Sequence, residues 1–206
     1  MSIGVRGVMT IWFAIIFKEA EMSAEKKRGF GSIEVVCGCM FSGKTTELIR
    51  RIEVCQHAGQ KVQVFNSSKD KRYAVRAIAT HDLKTIEAVH VNKAEEILSL
   101  LKKDTDVIAL DEVNFFGKDI SSVALKIAGL GKRVICCGLD LDYQAVPFES
   151  TARLLAVADN VTKLSARCTR CGKPATRTQR LVDVKARIYV GGAEDYEARC
   201  ADCFKP

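Results

Sequence analysis

No stretch of this chain reaches the ~18–20 consecutive apolar residues that a membrane-spanning helix needs, so no membrane partner is expected. Aromatic residues are scarce at 7%, and there is no long block of Lys and Arg, so nucleic acid is not expected as a partner either. Internal repeats and low-complexity tracts are also missing, which sets aside solenoids and extended disorder. What remains is 48% hydrophobic and 28% charged over 206 residues. That balance suits one domain, or a domain with a small appendage, and supplies enough apolar material for a core.

The formal net charge is +7. A surface of that sign attracts anions, whether nucleic acid or small molecules such as nucleotides. The apolar run Val8–Phe17 follows Arg6 and has the length of a signal-peptide core. No small-residue cleavage site follows it, because Lys18, Glu19 and Glu21 come next. Met22 opens a polar stretch (MSAEKKRG) just before the first strand signal. We expect Met22 to be the natural start, with residues 1–21 an over-long gene reading or a dispensable arm.

Five of the nine cysteines (Cys37, Cys39, Cys55, Cys136 and Cys137) sit in or beside apolar runs and read as buried thiols of a reducing, cytoplasmic compartment. Strand and helix signals alternate from about residue 32. Ile33–Cys37 reads as a strand, Lys44–Ala58 as a helix stopped at Gly59, and Val62–Phe65 as a strand. Asn66 to Thr80 is polar and aperiodic and reads as a mobile loop. Ile86–Val91 suggests a strand, Ala94–Leu101 a helix, Val107–Leu110 a buried strand, Ile120–Ala128 a helix and Val134–Cys137 a strand. This order predicts an α/β fold, a mostly parallel sheet with helices on both faces. The character changes near residue 165. The expected division is an N-terminal arm over 1–31, an α/β domain over 32–164 and a small cysteine-bearing domain over 165–206.

Gly38-Cys39-Met40-Phe41-Ser42-Gly43-Lys44-Thr45 fills every fixed position of the phosphate-binding pattern G-x-x-x-x-G-K-[ST], between a strand and a helix, so the expected α/β fold is of the P-loop NTPase type. Glycines let backbone N–H groups surround phosphate oxygens, and the helix N-terminus adds partial positive charge. Gly38, Met40, Phe41, Ser42, Gly43 and Thr46 are therefore expected around a nucleoside triphosphate such as ATP. Lys44 is expected on its β- and γ-phosphates and the Thr45 hydroxyl on Mg²⁺. The apolar run Val107–Leu110 delivers Asp111 and Glu112. Asp111 suits the second Mg²⁺ ligand, and Glu112, the next residue, is placed to take a proton from an attacking hydroxyl or water.

Cys168-x-x-Cys171 and Cys200-x-x-Cys203 form two pairs, each able to grip a metal from a tight turn. Together they supply the S₄ set of a structural zinc site; disulfides and an iron–sulfur cluster are the alternatives. Arg167, Arg170, Lys173, Arg177 and Arg180 crowd the same stretch without an acid, so it reads equally as a solvated face or a nucleic-acid surface.

These pieces in this order resemble the type II thymidine kinases, the zinc-containing deoxynucleoside kinases. The resemblance rests on the GxMFSGKT form of the loop, on Asp111-Glu112-Val113-Asn114-Phe115-Phe116 and on Gly138-Leu139-Asp140 with Tyr143-Gln144 and Pro147-Phe148. It also rests on the paired cysteines and on Val190-Gly191-Gly192-Ala193-Glu194-Asp195-Tyr196, and it runs from about Ser32 to Phe204. It implies transfer of the γ-phosphoryl group of ATP to the 5′-hydroxyl of thymidine, with deoxyuridine as a further substrate and Glu112 as general base. The C-terminal domain becomes a zinc-held lasso over the base. Met40, Phe115, Tyr143, Thr178, Tyr189 and Tyr196 would line the nucleoside, and Arg72 would approach the phosphates. A homotetramer and feedback inhibition by thymidine triphosphate (dTTP) are implied as well. The family usually has Gln where this chain has Asn114, and Phe where it has Tyr143. Two rivals stay open at this level: a non-enzymatic, ATP-gated nucleic-acid-binding module, and a P-loop NTPase in which Glu112 activates water.

Overall fold

The computed structural model describes residues 29–70, 77–79 and 85–205. In chain order the first elements are β1 (Ile33–Gly38), α1 (Lys44–His57), β2 (Val62–Ser67), β3 (Ala77–Ala79), β4 (Thr85–Glu87), β5 (Val89–Val91), α2 (Glu96–Leu100) and β6 (Val107–Leu110). A 3₁₀ turn over Val113–Phe115 leads to α3 (Ile120–Gly129), β7 (Arg133–Gly138), α4 (Glu149–Val157) and β8 (Asn160–Leu164). Four short strands complete the chain: β9 (Ala166–Arg167), β10 (Pro174–Ala175), β11 (Arg177–Arg180) and β12 (Tyr196–Arg199).

Six strands form one sheet in the order β5-β2-β6-β7-β1-β8, and every pairing within it is parallel. Unbroken apolar runs make such strands because both faces are covered. Side chains alternate between two cores. Ile33, Val35, Ile108, Leu110, Val134 and Cys136 face α3 and α4 in one apolar cluster. Val107, Ala109, Ile135 and Cys137 face Leu48, Ile49 and Ile52 of α1 in the other. The expected α/β architecture with helices on both faces is what the structure has. Truncating a fully buried residue such as Ile52 or Ile108 to alanine costs about 2–5 kcal/mol.

Several boundaries differ from the sequence reading. The loop expected from Asn66 begins later, since β2 runs through Ser67, and Ala77–Ala79 forms a strand paired with β4. The single strand expected over Ile86–Val91 is two, of which only β5 joins the main sheet. Neither α4 nor β8 has a clear apolar signal. The buried face of α4 is Ser150, Thr151 and Leu154, and β8 is an edge strand in which Asn160, Val161 and Lys163 are exposed. The expectations for residues 1–21 and for Met22 lie outside the described residues. Among the described residues no helix is long and apolar enough to cross a membrane.

Parallel order sets the site. The C-terminal ends of β1, β7 and β6 lie side by side, so Gly38, Gly138 and Asp111 emerge along one edge. Crevices at that edge are where open α/β sheets take ligands.

Candidate active site

The loop between β1 and α1 makes its turn with two glycines. Gly38 has φ 149°, and a Cβ there would stand 2.4 Å from the carbonyl oxygen of Leu164. Gly43, at φ 81°, caps α1 without any side-chain hydrogen bond, leaving first-turn N–H groups facing the crevice. Within the loop Ser42 Oγ and Lys44 Nζ each donate to the Cys39 carbonyl at 2.8 Å. Thr45 is half-buried and Thr46 exposed at the start of the helix. Two bonds tie the loop to the C-terminal segment. Met40 N–H donates to Thr178 Oγ1 at 3.0 Å, and the buried Cys39 thiol donates to the Ala175 carbonyl at 3.2 Å.

At the end of β6 the two acids part. Asp111 is buried, and its Oδ1 accepts from Glu112 N–H at 2.9 Å. Burial, and after it the neighbouring Glu112 carboxylate, raises Asp111 to about 7. A carboxylate pushed toward neutrality this way, beside Lys44, is a group that a divalent cation would return to its charged form. Glu112 leaves the strand with φ 51° and ψ 45°, a left-handed conformation rare for a residue with a side chain. Such strain costs about 1–3 kcal/mol and is held where the surrounding structure needs it. The turn separates the acids: Glu112 lines the adjoining cavity, which Asp111 does not.

That cavity gathers residues from four separate stretches. Met40, Phe115, Tyr143, Thr178, Tyr189 and Tyr196, each expected at a nucleoside, all line it with Glu112. Leu139, Arg180, Arg187, Ile188, Val190 and Gly191 line it too, though the sequence reading gave none of them a place at the nucleoside. Arg180 is buried. Its two terminal nitrogens donate to the carbonyls of Val184 and Ala186 at 2.6 Å, to that of Arg187 at 3.2 Å and to Tyr196 Oη at 3.0 Å. Its guanidinium also lies 3.6 Å from the centre of the Tyr143 ring. Tyr196 in turn donates to the Tyr189 carbonyl at 2.7 Å. Further out, Arg187 Nε meets Asp142 Oδ2 at 2.7 Å and its Nη2 donates to Pro147 O at 2.9 Å. Asn114 Oδ1 accepts from Leu139 N–H at 2.9 Å, so the shorter amide still reaches that backbone. The basic stretch therefore does not form one continuous face. Arg180 turns inward, and Lys173 pairs with exposed Asp202.

The sulfurs of Cys168, Cys171, Cys200 and Cys203 lie within 4.8 Å of one another, and all four are free thiols. A tetrahedral metal with bonds of about 2.3 Å separates its sulfurs by about 3.8 Å, and Cys171 and Cys200 stand at 3.5 Å. Each pair comes from a tight turn, closed by Gly172 N–H to Cys168 O at 2.9 Å and by Cys203 N–H to Cys200 O at 3.2 Å. The donor set fits a structural tetrahedral metal. Cys168 and Cys200 also pack with Cys39, Ala175 and Ala198, which puts this cluster against the phosphate loop. Arg72, expected near the phosphates, lies outside the described residues.

The sequence-family model described as thymidine kinase matches residues 31–204. A thymidine kinase of Bdellovibrio bacteriovorus is 47% identical over 187 residues, covering 91% of each chain. A thymidine kinase of a Rhodothermus species is 46% identical over 176 residues, 85% of this chain and 82% of that one. Among solved structures, AMPPCP-bound DnaA from Aquifex aeolicus aligns at 15% identity and a TM-score of 0.38, over 80% of this chain and 48% of the other. That likeness is too distant to bear on function. A phosphate loop, a split acidic pair, four gathered cysteines and near-half identity over most of the length converge: this chain belongs to the thymidine kinase family.

Proposed function

We propose that the chain is an ATP-dependent thymidine kinase, transferring the γ-phosphoryl group of ATP to the 5′-hydroxyl of thymidine, and of deoxyuridine, for salvage of DNA precursors. The observation that carries this is the position of Glu112, which lines the same cavity as Met40 of the phosphate loop and the aromatic residues Phe115, Tyr143 and Tyr196. One carboxylate thus lines a cavity shared by the phosphate loop and several aromatic side chains, which supports reading it as the meeting point of donor and acceptor.

On this reading the loop amides from Gly38 to Thr46 and the Lys44 ammonium hold the β- and γ-phosphates. Thr45 and Asp111 would hold Mg²⁺, which when bound offsets charge on the transferring phosphoryl group. Glu112 accepts the 5′-hydroxyl proton as that oxygen bonds to the γ-phosphorus and the bond to the ADP oxygen breaks. Phe115 and Tyr143 flank the base, and Thr178 with the backbone near Tyr189 faces its polar edge. Tyr196 stands by the sugar, and Arg72 by the phosphates. Cys168, Cys171, Cys200 and Cys203 would hold Zn²⁺ as a structural ion, so that residues 165–206 act as a lasso domain on the kinase domain of 32–164. The same reading makes the enzyme a cytoplasmic homotetramer inhibited by dTTP.

The test is a phosphoryl-transfer assay with ATP against a panel of deoxynucleosides. Thymidine monophosphate should form, with ADP release dependent on thymidine. A panel in which neither thymidine nor deoxyuridine is phosphorylated overturns the proposal, and ADP release without any acceptor points to a hydrolase.

A further inference from the structure

Arg180 is 8% exposed and forms no ion pair among the described residues. Its Nε has no hydrogen-bond partner there either. A buried guanidinium without a carboxylate is unfavourable for stability taken alone. Its other contacts go to residues that line one cavity (Tyr143, Arg187 and Tyr196) and to the chain that leads into that wall (Val184 and Ala186). They comprise three consecutive-stretch carbonyls (Val184, Ala186 and Arg187), the Tyr196 hydroxyl and the face of Tyr143. Residues 181–195 connect β11 to β12 without regular structure of their own beyond turns, so their backbone groups depend on such partners for a fixed position.

We propose that Arg180 is a positioning residue for the acceptor cavity. It gathers the strap of residues 181–191 by its carbonyls, and it fixes Tyr196 through the hydroxyl and Tyr143 through the ring. This rests on reading the cavity as the nucleoside site. The planar fork is essential to the role. Its two terminal nitrogens reach four acceptors while its flat face stacks on an aromatic ring, and a lysine ammonium offers neither the fork nor the plane. The strap then presents the Ile188–Gly191 backbone to the cavity in one conformation. Affinity for a flat nucleoside is gained because the ordering is already complete before binding.

The experiment compares the parent with Arg180→Lys and Arg180→Met. The readouts are steady-state kinetics for thymidine and ATP, metal content, melting temperature and hydrogen exchange of the 181–191 amides. In both variants the thymidine KM should rise roughly tenfold or more, with the ATP KM within about twofold. Exchange in 181–191 should quicken while the α1 amides stay protected and metal content is kept. A thymidine KM within twofold of the parent, with unchanged exchange, overturns the proposal. So does a parallel loss of both KM values together with metal and melting temperature, which would mark a purely structural role. If the parent itself does not phosphorylate thymidine, the reading of the cavity has failed. Exchange in 181–191 then decides by itself whether Arg180 holds the strap.

Discussion

The parallel sheet and the C-terminal segment solve the same problem, holding functional groups still, by opposite means. β1, β6 and β7 are buried on both faces, and their ends carry the phosphate loop and the acids on a backbone that the core immobilises. The C-terminal segment has almost no core. Its apolar cluster consists of small residues and cysteines (Cys39, Cys168, Ala175, Ala198 and Cys200), with strands of two to four residues around it. A segment that buries so little apolar surface needs other fastenings. Here these are four convergent thiols, the inward arginine and a peripheral ion pair. On the proposed reading the donor half is preformed by packing, whereas the acceptor half is held by point contacts, each of which a single substitution can remove.

The sharpest way to separate chemistry from either scaffold is Glu112→Gln. Turnover should fall by about 10²–10⁴-fold, with thymidine affinity kept, because the amide preserves shape but cannot take the proton. Steady-state kinetics beside calorimetric thymidine titration checks this, and equal loss of binding would place Glu112 among the scaffold groups instead.

This contrast also explains what the sequence made visible. The phosphate loop, Asp111, Glu112 and the cysteine pairs are legible because their chemistry sits in adjacent residues at fixed spacing, beside apolar runs that announce the strands. The cavity residues Phe115, Tyr143, Thr178, Tyr189 and Tyr196 entered through resemblance to a family. No spacing joins them, since tertiary folding brings Met40 and Thr178 together across most of the chain. Arg180 and Arg187 were hidden for another reason. In sequence Arg180 belongs to a basic, solvated-looking stretch and Arg187 follows it beside Lys185 without a motif, and only their partners, mostly backbone carbonyls, turn them into structural groups. Helix α4 escaped notice because it buries serine and threonine rather than a clean apolar stripe.

A milder break of the acceptor side is Arg187→Gln. It removes the pair to buried Asp142 at the rim of the cavity. The arginine is half-exposed, so solvent screens the pair and the effect should stay near threefold in thymidine KM, with the ATP KM unmoved. Competition kinetics with both substrates resolves a change of that size; an equal shift in both would tie the rim to the donor site.

The smallest expected effect lies on the donor side, at α1. Arg50 first, and then Arg51, hold the Glu47 carboxylate down to about 2. A depressed carboxylate stabilises the fold above its ordinary value near 4.5 and loses that contribution as pH falls from there toward 2. Glu47→Gln should therefore lower stability by about 0.5 kcal/mol at pH 7, and by progressively less below pH 4.5. Thermal melts across that range check the sign, and a deficit that grows on acidification would contradict it.

The comparison itself is tested most directly by removing the metal proposed at the four cysteines. Thymidine and a non-hydrolysable ATP analogue would be titrated calorimetrically into the metal-loaded protein and into protein stripped by a chelator. Thymidine affinity should collapse by more than about tenfold, while analogue affinity changes by no more than about threefold. That small donor-side change would reflect the two bonds from Cys39 and Met40 to Ala175 and Thr178. Loss of both ligands together, or of neither, would contradict the account of one site packed into a sheet and another fastened by the C-terminal segment.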